Sequence, residues 1–162
     1  MTVAPEKKIS SRLKKGGAVA LVAVSFTGGM EGLRQTAYPD PATKGPPWTI
    51  CYGETHGVRP GDHKSIAECK DLLRYRLGVE AEGIDKCLIR VTTDGQAVAF
   101  LSLAHNIGVA GFCKSSVVRE FNNGNVEQAC NNLLKFNRAA GMVFPGLTRR
   151  REAERKLCLQ GT

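Results

Sequence analysis

The sequence predicts an α+β fold, in which a small β-hairpin lobe accompanies a helical bundle lobe. Residues 32–61 are rich in Pro and Gly and hold short β-favouring runs such as residues 48–52. Beyond them, apolar residues recur at helical spacing, and two capping-box patterns mark the starts of helices. The length of 162 residues fits one ordinary domain with a sizeable core.

The helical part resolves into a series of elements. The first capping box, Ser65 with Glu68, opens a helix of about four turns that we expect to end at Gly78. The second, Thr93 with Gln96, opens a mostly apolar helix that is typical of the centre of a core. Shorter helices are predicted at residues 116–121, 126–135 and 149–157.

Charge and cysteine content narrow the class of protein. Lys and Arg number 23 against 15 Asp and Glu, and the net charge of +8 favours a polyanionic partner: nucleic acid, an acidic lipid surface or an anionic wall polymer. The six cysteines lack the paired spacing of a zinc site and indicate an oxidising compartment with some disulfides, whose pairing the sequence leaves open. The three histidines join no metal-like pattern, so we predict no metal and no cofactor.

The N-terminus indicates export. Residues 1–15 are strongly basic, and residues 16–30 follow without a charge but are diluted by glycines and polar residues. This apolar run is shorter than the roughly 20 residues of a stable transmembrane helix. Three interpretations stay open: a cleaved signal peptide, a weak reversible anchor, or the first amphipathic helix of a soluble core. The basic residues are Lys7, Lys8, Arg12, Lys14 and Lys15.

Two carboxyl groups stand where the apolar run passes into the polar lobe. Glu31 ends the run, and apolar surroundings there would favour the protonated carboxyl that a general acid needs. Asp40 follows in a Tyr-Pro-Asp-Pro turn, where a more exposed carboxyl would be ionised. A pair of carboxyls in unlike environments is what cleavage of a glycosidic bond requires. Most such pairs in proteins are merely solvated, so the pair alone is a weak indication.

Three groups of motifs stand in order along the chain. They are Glu31-Gly32-Leu33-Arg34 with Ala37-Tyr38-Pro39-Asp40 and Trp48-Thr49-Ile50-Cys51-Tyr52-Gly53-Glu54-Thr55, then Asn106-Ile107-Gly108 with Gly111-Phe112, then Gly146-Leu147-Thr148-Arg149-Arg150-Arg151-Glu152. Together they resemble the phage-type (T4-like) lysozymes, and the resemblance covers most of residues 20–160. The basic, weakly apolar N-terminus further resembles the signal-anchor-release endolysins of this family. The resemblance implies a lysozyme-like fold.

The resemblance assigns a role to each of these catalytic positions. Glu31 would be the general acid, Asp40 the carboxylate that positions or activates water, and Thr49 the hydroxyl that holds that water. Without the motif, Thr49 would be read as a β-branched strand residue. Arg150 is the best candidate to pair with Glu31, although it could instead belong to a solvated helix end.

Two further positions are implied to contact substrate. By resemblance, Asn106 would lie near the N-acetyl sugars, and Ser115 would line the same groove. For both, the plainer interpretation is a helix-cap or turn residue.

The sequence departs from the family's pattern near Thr49. The connection formed by residues 41–48, with its Pro46-Pro47 pair, is longer than usual. Glu54 replaces a common histidine and would be a structural group, a neighbour that tunes the other carboxyls, or a substitute base. Cys51 would share a strand face with Thr49 if the strand were regular. We expect Cys51 to be buried or to form a structural disulfide. The alternative is that its thiol or disulfide places the active site under redox control.

The implied function is a phage endolysin that hydrolyses the β-1,4 bond between N-acetylmuramic acid and N-acetylglucosamine in peptidoglycan and so lyses the host. A lytic transglycosylase is the nearest alternative, and a basic, non-catalytic polyanion-binding protein is the alternative from another class. Aromatic residues at 6% and the lack of a nucleic-acid motif argue against nucleic acid as the partner.

The expected organisation is a basic segment at residues 1–17 followed by one catalytic domain at residues 18–162. Within it, residues 18–30 would serve first as a weak membrane anchor and then as the first helix. We therefore expect a monomer that is exported, held transiently at the inner membrane and then released into the periplasm.

Overall fold

A computed structural model describes residues 8–160 of the chain, which divide into two compact units. One unit spans Val24–Leu77 and holds the larger sheet; the other joins residues 8–23 to residues 78–160 and is almost wholly helical. The elements, in chain order, are α1 Ile9–Lys14, α2 Ala18–Glu31, β1 Arg34–Tyr38, β2 Thr49–Cys51, α3 Ile66–Ile84, α4 Asp94–Ile107, α5 Val109–Cys113, α6 Ser116–Asn122, α7 Val126–Asn132, a 3-10 helix Leu133–Lys135, β3 Arg138–Ala139, β4 Met142–Val143 and α8 Pro145–Gln160.

The sheet unit is built on a two-stranded antiparallel hairpin. Strand β1 pairs with β2 so that Arg34 lies opposite Cys51 and Tyr38 opposite Thr49, with a register shift between the two pairs. The hairpin packs on a small apolar cluster around Ile50. A disulfide between Cys51 and Cys69 ties the end of β2 to the start of α3. The hairpin lobe that the Pro- and Gly-rich stretch predicts is therefore confirmed.

The helical unit is organised around α4. Residues 96–104 of this helix are all buried, and α4 packs most extensively against α8. Phe100 contributes two aromatic contacts, to Phe112 and Phe121, whose ring centroids lie 5.7 and 5.1 Å away. Two disulfides fasten the surrounding elements. The sequence prediction of a central, mostly apolar helix is confirmed. The bridges are Cys87–Cys113 and Cys130–Cys158.

Both predicted capping boxes are present. The Ser65 hydroxyl accepts from the Glu68 amide while the Glu68 carboxylate accepts from the Ser65 amide, and Thr93 and Gln96 form the same reciprocal pair. Each box satisfies two amide groups that the first turn of a helix would otherwise leave without a partner.

The bounds of three helices differ from the predicted ones. Helix α3 continues past Gly78 to Ile84, because an isolated glycine weakens a helix without ending it when the apolar spacing continues. Helix α8 begins at Pro145 rather than at residue 149, since proline suits the first helical position. The predicted helix 126–135 is α7 followed by a 3-10 turn.

Two helices and one hairpin have no counterpart in the sequence predictions. Helix α1 lies inside the predicted basic segment 1–17 and buries Ile9 and Leu13. The short helix α5 and the β3–β4 hairpin were also missed. Each is shorter than the window over which periodicity can be recognised.

The predicted apolar run 16–30 contains most of helix α2. Among residues 8–160, no helix is both long and apolar enough to cross a membrane. Residues 1–7, which include the predicted basic residue Lys7, lie outside the described part of the chain.

Candidate active site

Glu31 is the last residue of helix α2 and is partly exposed. The next residue, Gly32, has a φ of +76°, a left-handed conformation that ends a helix and that glycine adopts readily. Strand β1 then begins at Arg34. The local sequence thus fixes the Glu31 backbone at the junction between helix and hairpin, where the apolar run was predicted to end.

Asp40 lies just beyond the end of β1 and is held by its own turn. One carboxylate oxygen, Oδ1, accepts hydrogen bonds from the amides of Ala42 and Thr43 at 2.8 and 3.0 Å. The other, Oδ2, has no hydrogen-bond partner within residues 8–160. The Asp40 backbone is fixed as well, since its amide donates to the carbonyl of Gly45 and its carbonyl accepts from the amide of Lys44. The turn therefore sets the orientation of the carboxylate and leaves one oxygen open.

Thr49 begins strand β2 and lies at the same end of the hairpin as Asp40. It is paired with Tyr38, and Asp40 follows Tyr38 by two residues. Its side chain is partly exposed, and in the described part of the chain no group hydrogen-bonds to its hydroxyl. The long 41–48 connection therefore returns Thr49 to the end of the hairpin where Asp40 lies.

Glu54 has a structural role in the turn that follows β2. Its Oε1 accepts from the amides of Thr55 and His56 at 2.9 and 2.8 Å, and Arg76 lies 3.5 Å away on α3. Its backbone pairs with Ile50. Of the three readings that the sequence left open, these contacts favour the structural one.

Cys51 departs from a regular strand. Its φ of +60° is in the left-handed region, which disfavours any residue with a Cβ atom. Strand β2 is therefore not regular at Cys51, so Cys51 does not meet the condition under which it would share a strand face with Thr49. Cys51 is buried and disulfide-bonded, as expected.

The two predicted substrate contacts lie in the helical unit and differ in exposure. Asn106 is the penultimate residue of α4 and is exposed, and its Oδ1 accepts from Nη1 of Arg151 at 3.1 Å. Ser115 is buried and caps helix α6, with its hydroxyl accepting from the amide of Val118. The hydroxyl of Ser115 therefore has a structural use, whereas Asn106 offers polar atoms at the surface.

Arg150 lies in a buried cluster that the sequence interpretation largely missed. Its guanidinium donates to the carbonyl and hydroxyl of Ser102 and, with a longer bond of 3.3 Å, to Glu154. Arg151 donates to the same Glu154 oxygen at 2.7 Å. The i,i+3 and i,i+4 spacing of Glu154 from the two arginines is the sequence signal that could have revealed the cluster. The predicted pairing of Arg150 with Glu31 stays a prediction.

Burial dominates the electrostatics of Glu154. Removal from water raises the pKa of its carboxyl above the usual value, although Arg151, Ser102 and Arg150 all favour the ionised form. Its second oxygen, Oε2, has no hydrogen-bond partner within residues 8–160. The carboxyl is therefore a buried group whose charge is only partly compensated.

No group of three or more His, Cys, Asp or Glu side chains within residues 8–160 is arranged to hold a metal ion. The predicted catalytic residues carry two carboxyl groups and a hydroxyl, which suit proton transfer and the positioning of water.

The chain is similar to several known proteins. The phage lysozyme family model matches residues 28–154. The SAR-endolysin of bacteriophage PS119 is 37% identical over 155 residues, covering 90% of this chain and 89% of that protein. The SAR-endolysin of enterobacteria phage PA-2 is 36% identical over 155 residues and covers 90% of each. Among solved structures, the muramidase domain of SpmX from Asticaccaulis excentricus is 32% identical, with a TM-score of 0.78 over 85% of this chain and 95% of that one.

The matched residues include the Glu31, Asp40 and Thr49 positions as well as the Arg150 cluster. The relatives and the solved structure extend the likeness over most of the chain. The chain therefore belongs to the phage lysozyme family.

Proposed function

We propose that the chain is a phage endolysin that hydrolyses the β-1,4 bond between N-acetylmuramic acid and N-acetylglucosamine in peptidoglycan and thereby lyses the host cell. Membership of the lysozyme family and the likeness to a muramidase domain support this proposal. The net charge of +8 suits an anionic wall polymer. The observation that carries the proposal is Asp40, whose turn holds one oxygen and leaves the other open at the end of the hairpin shared with Thr49.

In the proposed reaction, Glu31 donates its proton to the glycosidic oxygen as the bond to the anomeric carbon breaks. A water molecule held by the Thr49 hydroxyl and Oδ2 of Asp40 attacks that carbon and passes its proton to Asp40. Because the Asp40 carboxylate is already oriented by two amides, it does not need to be reordered as the reaction proceeds. Attack by water from the face opposite the acid inverts the anomeric configuration.

The other site positions have supporting roles in this proposal. Asn106 contacts the sugar, Arg150 supports the charge of the acid, and Glu54 holds the turn after β2. We propose that the enzyme acts as a monomer on peptidoglycan, and nucleic acid has no part in the reaction.

A lytic transglycosylase is the closest alternative, because it cleaves the same bond with one acid and forms an anhydro sugar. The pairing of Asp40 with Thr49 favours the reaction that uses water. Mass analysis of muropeptides after digestion of purified peptidoglycan separates the possibilities. We expect reducing ends; anhydro ends would show a transglycosylase, and intact glycan would indicate a non-catalytic binding protein.

We also propose that the chain leaves the cytoplasm through a reversible membrane anchor. SAR-endolysin is the name of the relatives from phages PS119 and PA-2. Residues 18–30 would enter the inner membrane first, with the basic residues Arg12, Lys14 and Lys15 on the cytoplasmic side. Release into the periplasm would then allow helix α2 to form and place Glu31.

Gly29 offers a clean test of this anchor. A Cβ atom at Gly29 meets no atom within 4 Å, whereas one at Gly28 would lie 3.2 Å from the ring of Tyr52. Gly29→Leu should therefore strengthen the apolar run without disturbing the folded unit, keep more protein in the membrane fraction and delay lysis. Gly28→Leu would confound the result by a clash. N-terminal sequencing of the periplasmic protein gives the opposing test, because a mature chain beginning after Ser25 would show a cleaved signal peptide.

A further inference from the structure

We propose that Glu154 is a positioning residue that acts through Arg151 to fix the orientation of the Asn106 amide, so that the amide NH2 faces substrate. The inference rests on the proposed function, since it needs Asn106 to contact the sugar. Glu154 is fully buried and would touch no substrate itself.

The geometry begins with a shared acceptor atom. Oε1 of Glu154 accepts from the Ser102 hydroxyl at 2.6 Å and from Nη2 of Arg151 at 2.7 Å, while Nε of Arg150 lies 3.3 Å away. Arg151 is also fully buried. A buried guanidinium needs a counter-charge and a fixed hydrogen-bond geometry, and Glu154 supplies both from within the same helix.

Arg151 connects Glu154 to an exposed side chain, that of Asn106. Its Nη1 donates to Oδ1 of Asn106 at 3.1 Å and, with a longer bond of 3.4 Å, to the carbonyl of Phe136. A guanidinium has only donors, so the group of Asn106 that faces Arg151 must be its carbonyl oxygen. The amide NH2 of Asn106 must therefore point away from Arg151, with two donors on an exposed side chain.

Two donors at the surface suit an oxygen acceptor on the substrate. The acetamido carbonyl of an N-acetylated sugar is such an acceptor. Because this carbonyl can only accept, it could not bond to Asn106 if the side chain were turned so that Oδ1 faced the sugar. With Glu154 neutralised, Arg151 loses the charged acceptor on its Nη2, and its guanidinium holds the Asn106 carbonyl less firmly. Two hydrogen bonds thus link the buried Glu154 carboxylate, through Arg151, to the Asn106 side chain that contacts the sugar.

The test compares Glu154→Gln, Asn106→Ala and the double variant by kcat and KM on soluble glycan fragments. Glu154→Gln should raise KM about threefold to tenfold, the range of one weakened hydrogen bond, with kcat within about twofold of wild type. In the double variant, KM should rise no further than in Asn106→Ala alone, because the two residues act on one contact. Independent, multiplicative effects on KM, or an unchanged KM in folded Glu154→Gln, would overturn the proposal.

A matched control is available on the same helix. Glu152 is exposed and two residues from Glu154, so Glu152→Gln removes the same charge without touching the cluster and should leave KM unchanged. If Glu154→Gln does not fold, Glu154→Asp replaces it. The aspartate keeps the charge but is one methylene shorter, so it should raise KM in the same direction, and an unchanged KM there refutes the positioning role.

A second readout needs no substrate. The side-chain amide signal of Asn106 in a proton–nitrogen spectrum, identified by its loss in Asn106→Ala, should shift or broaden in Glu154→Gln and stay in place in Glu152→Gln. An unmoved signal rejects the positioning role even if the enzyme cleaves peptidoglycan. Conversely, failure of the wild-type protein to cleave peptidoglycan would reject the proposed function. The Asn106 amide signal would still test the positioning role of Glu154.

Discussion

Asp40 and Glu154 carry the same functional group in opposite surroundings. Asp40 is partly exposed in the sheet unit, takes two backbone amides on one oxygen and keeps the other open. Glu154 is fully buried in the helical unit and collects side-chain donors from a serine and two arginines on one oxygen. The comparison teaches that access to solvent separates the two uses of a carboxylate. The partly exposed Asp40 keeps an oxygen within reach of water, whereas the buried Glu154 can only hold neighbouring side chains.

The largest effect is expected from the proposed acid. Glu31→Gln should lower kcat by about 10²–10⁴-fold, the usual contribution of general acid catalysis, because an amide cannot protonate the leaving oxygen. Glu54→Gln should retain most activity, since an amide oxygen can still accept from Thr55 and His56 and the ion pair with the half-exposed Arg76 is weak. Rates of wall lysis by the two folded variants check this contrast, and equal losses would break it.

A stability measurement sharpens the comparison between the two carboxylates. Glu154→Leu should lower the free energy of unfolding by about 3–5 kcal/mol, because it removes the carboxylate that two buried guanidinium groups share. Asp40→Asn should change it by less than about 0.5 kcal/mol, since its amide oxygen can accept the same two backbone bonds. Urea unfolding of both variants gives the values. Similar losses at both positions would show that Asp40 is a structural residue as well.

Two substitutions at Cys51, in the sheet unit, should differ from each other in the free energy of unfolding by less than the loss expected for Glu154→Leu. Both Cys51→Ala and Cys51→Gly remove the bridge to Cys69, but only glycine adopts a φ of +60° without strain. The glycine variant should therefore be more stable by about 1–2 kcal/mol. Thermal unfolding of the two variants under the same oxidising conditions measures the difference, and an alanine variant of equal stability would contradict it.

The smallest effect is a dependence on pH. Burial raises the pKa of Glu154, so between its usual value and the raised value the folded chain keeps a proton that the unfolded chain has released. The free energy of unfolding should therefore fall as pH rises through this window. Urea unfolding at a series of pH values should show a smaller fall in Glu154→Gln, and an equal or steeper fall would contradict the assignment.

Local signals predicted the fold better than they predicted the charged cluster. The capping boxes at Ser65 and Thr93 were found because both partners lie within four residues. The disulfide pairs join residues 18, 26 and 28 positions apart, and nothing local in the sequence selects among the possible partners.

In the candidate site too, residues in short motifs were predicted and contacts between distant residues were not. Glu31 and Asp40 were named from their motif, and the structure places each at one end of β1. The contact from Arg151 to Asn106 spans 45 residues and depends on the packing of α8 against α4, which no short pattern encodes. Glu154 was overlooked because charged residues on a helix are most often solvated.

The stereochemistry of cleavage tests the central claim most directly. The claim is that Asp40 and Thr49 hold a water molecule on the face opposite Glu31, and this requires a single displacement at the anomeric carbon. Proton NMR of a fresh digest of a β-linked glycan follows the first product before mutarotation. The account predicts that the α-anomer of the new reducing end appears first, and initial appearance of the β-anomer would contradict it.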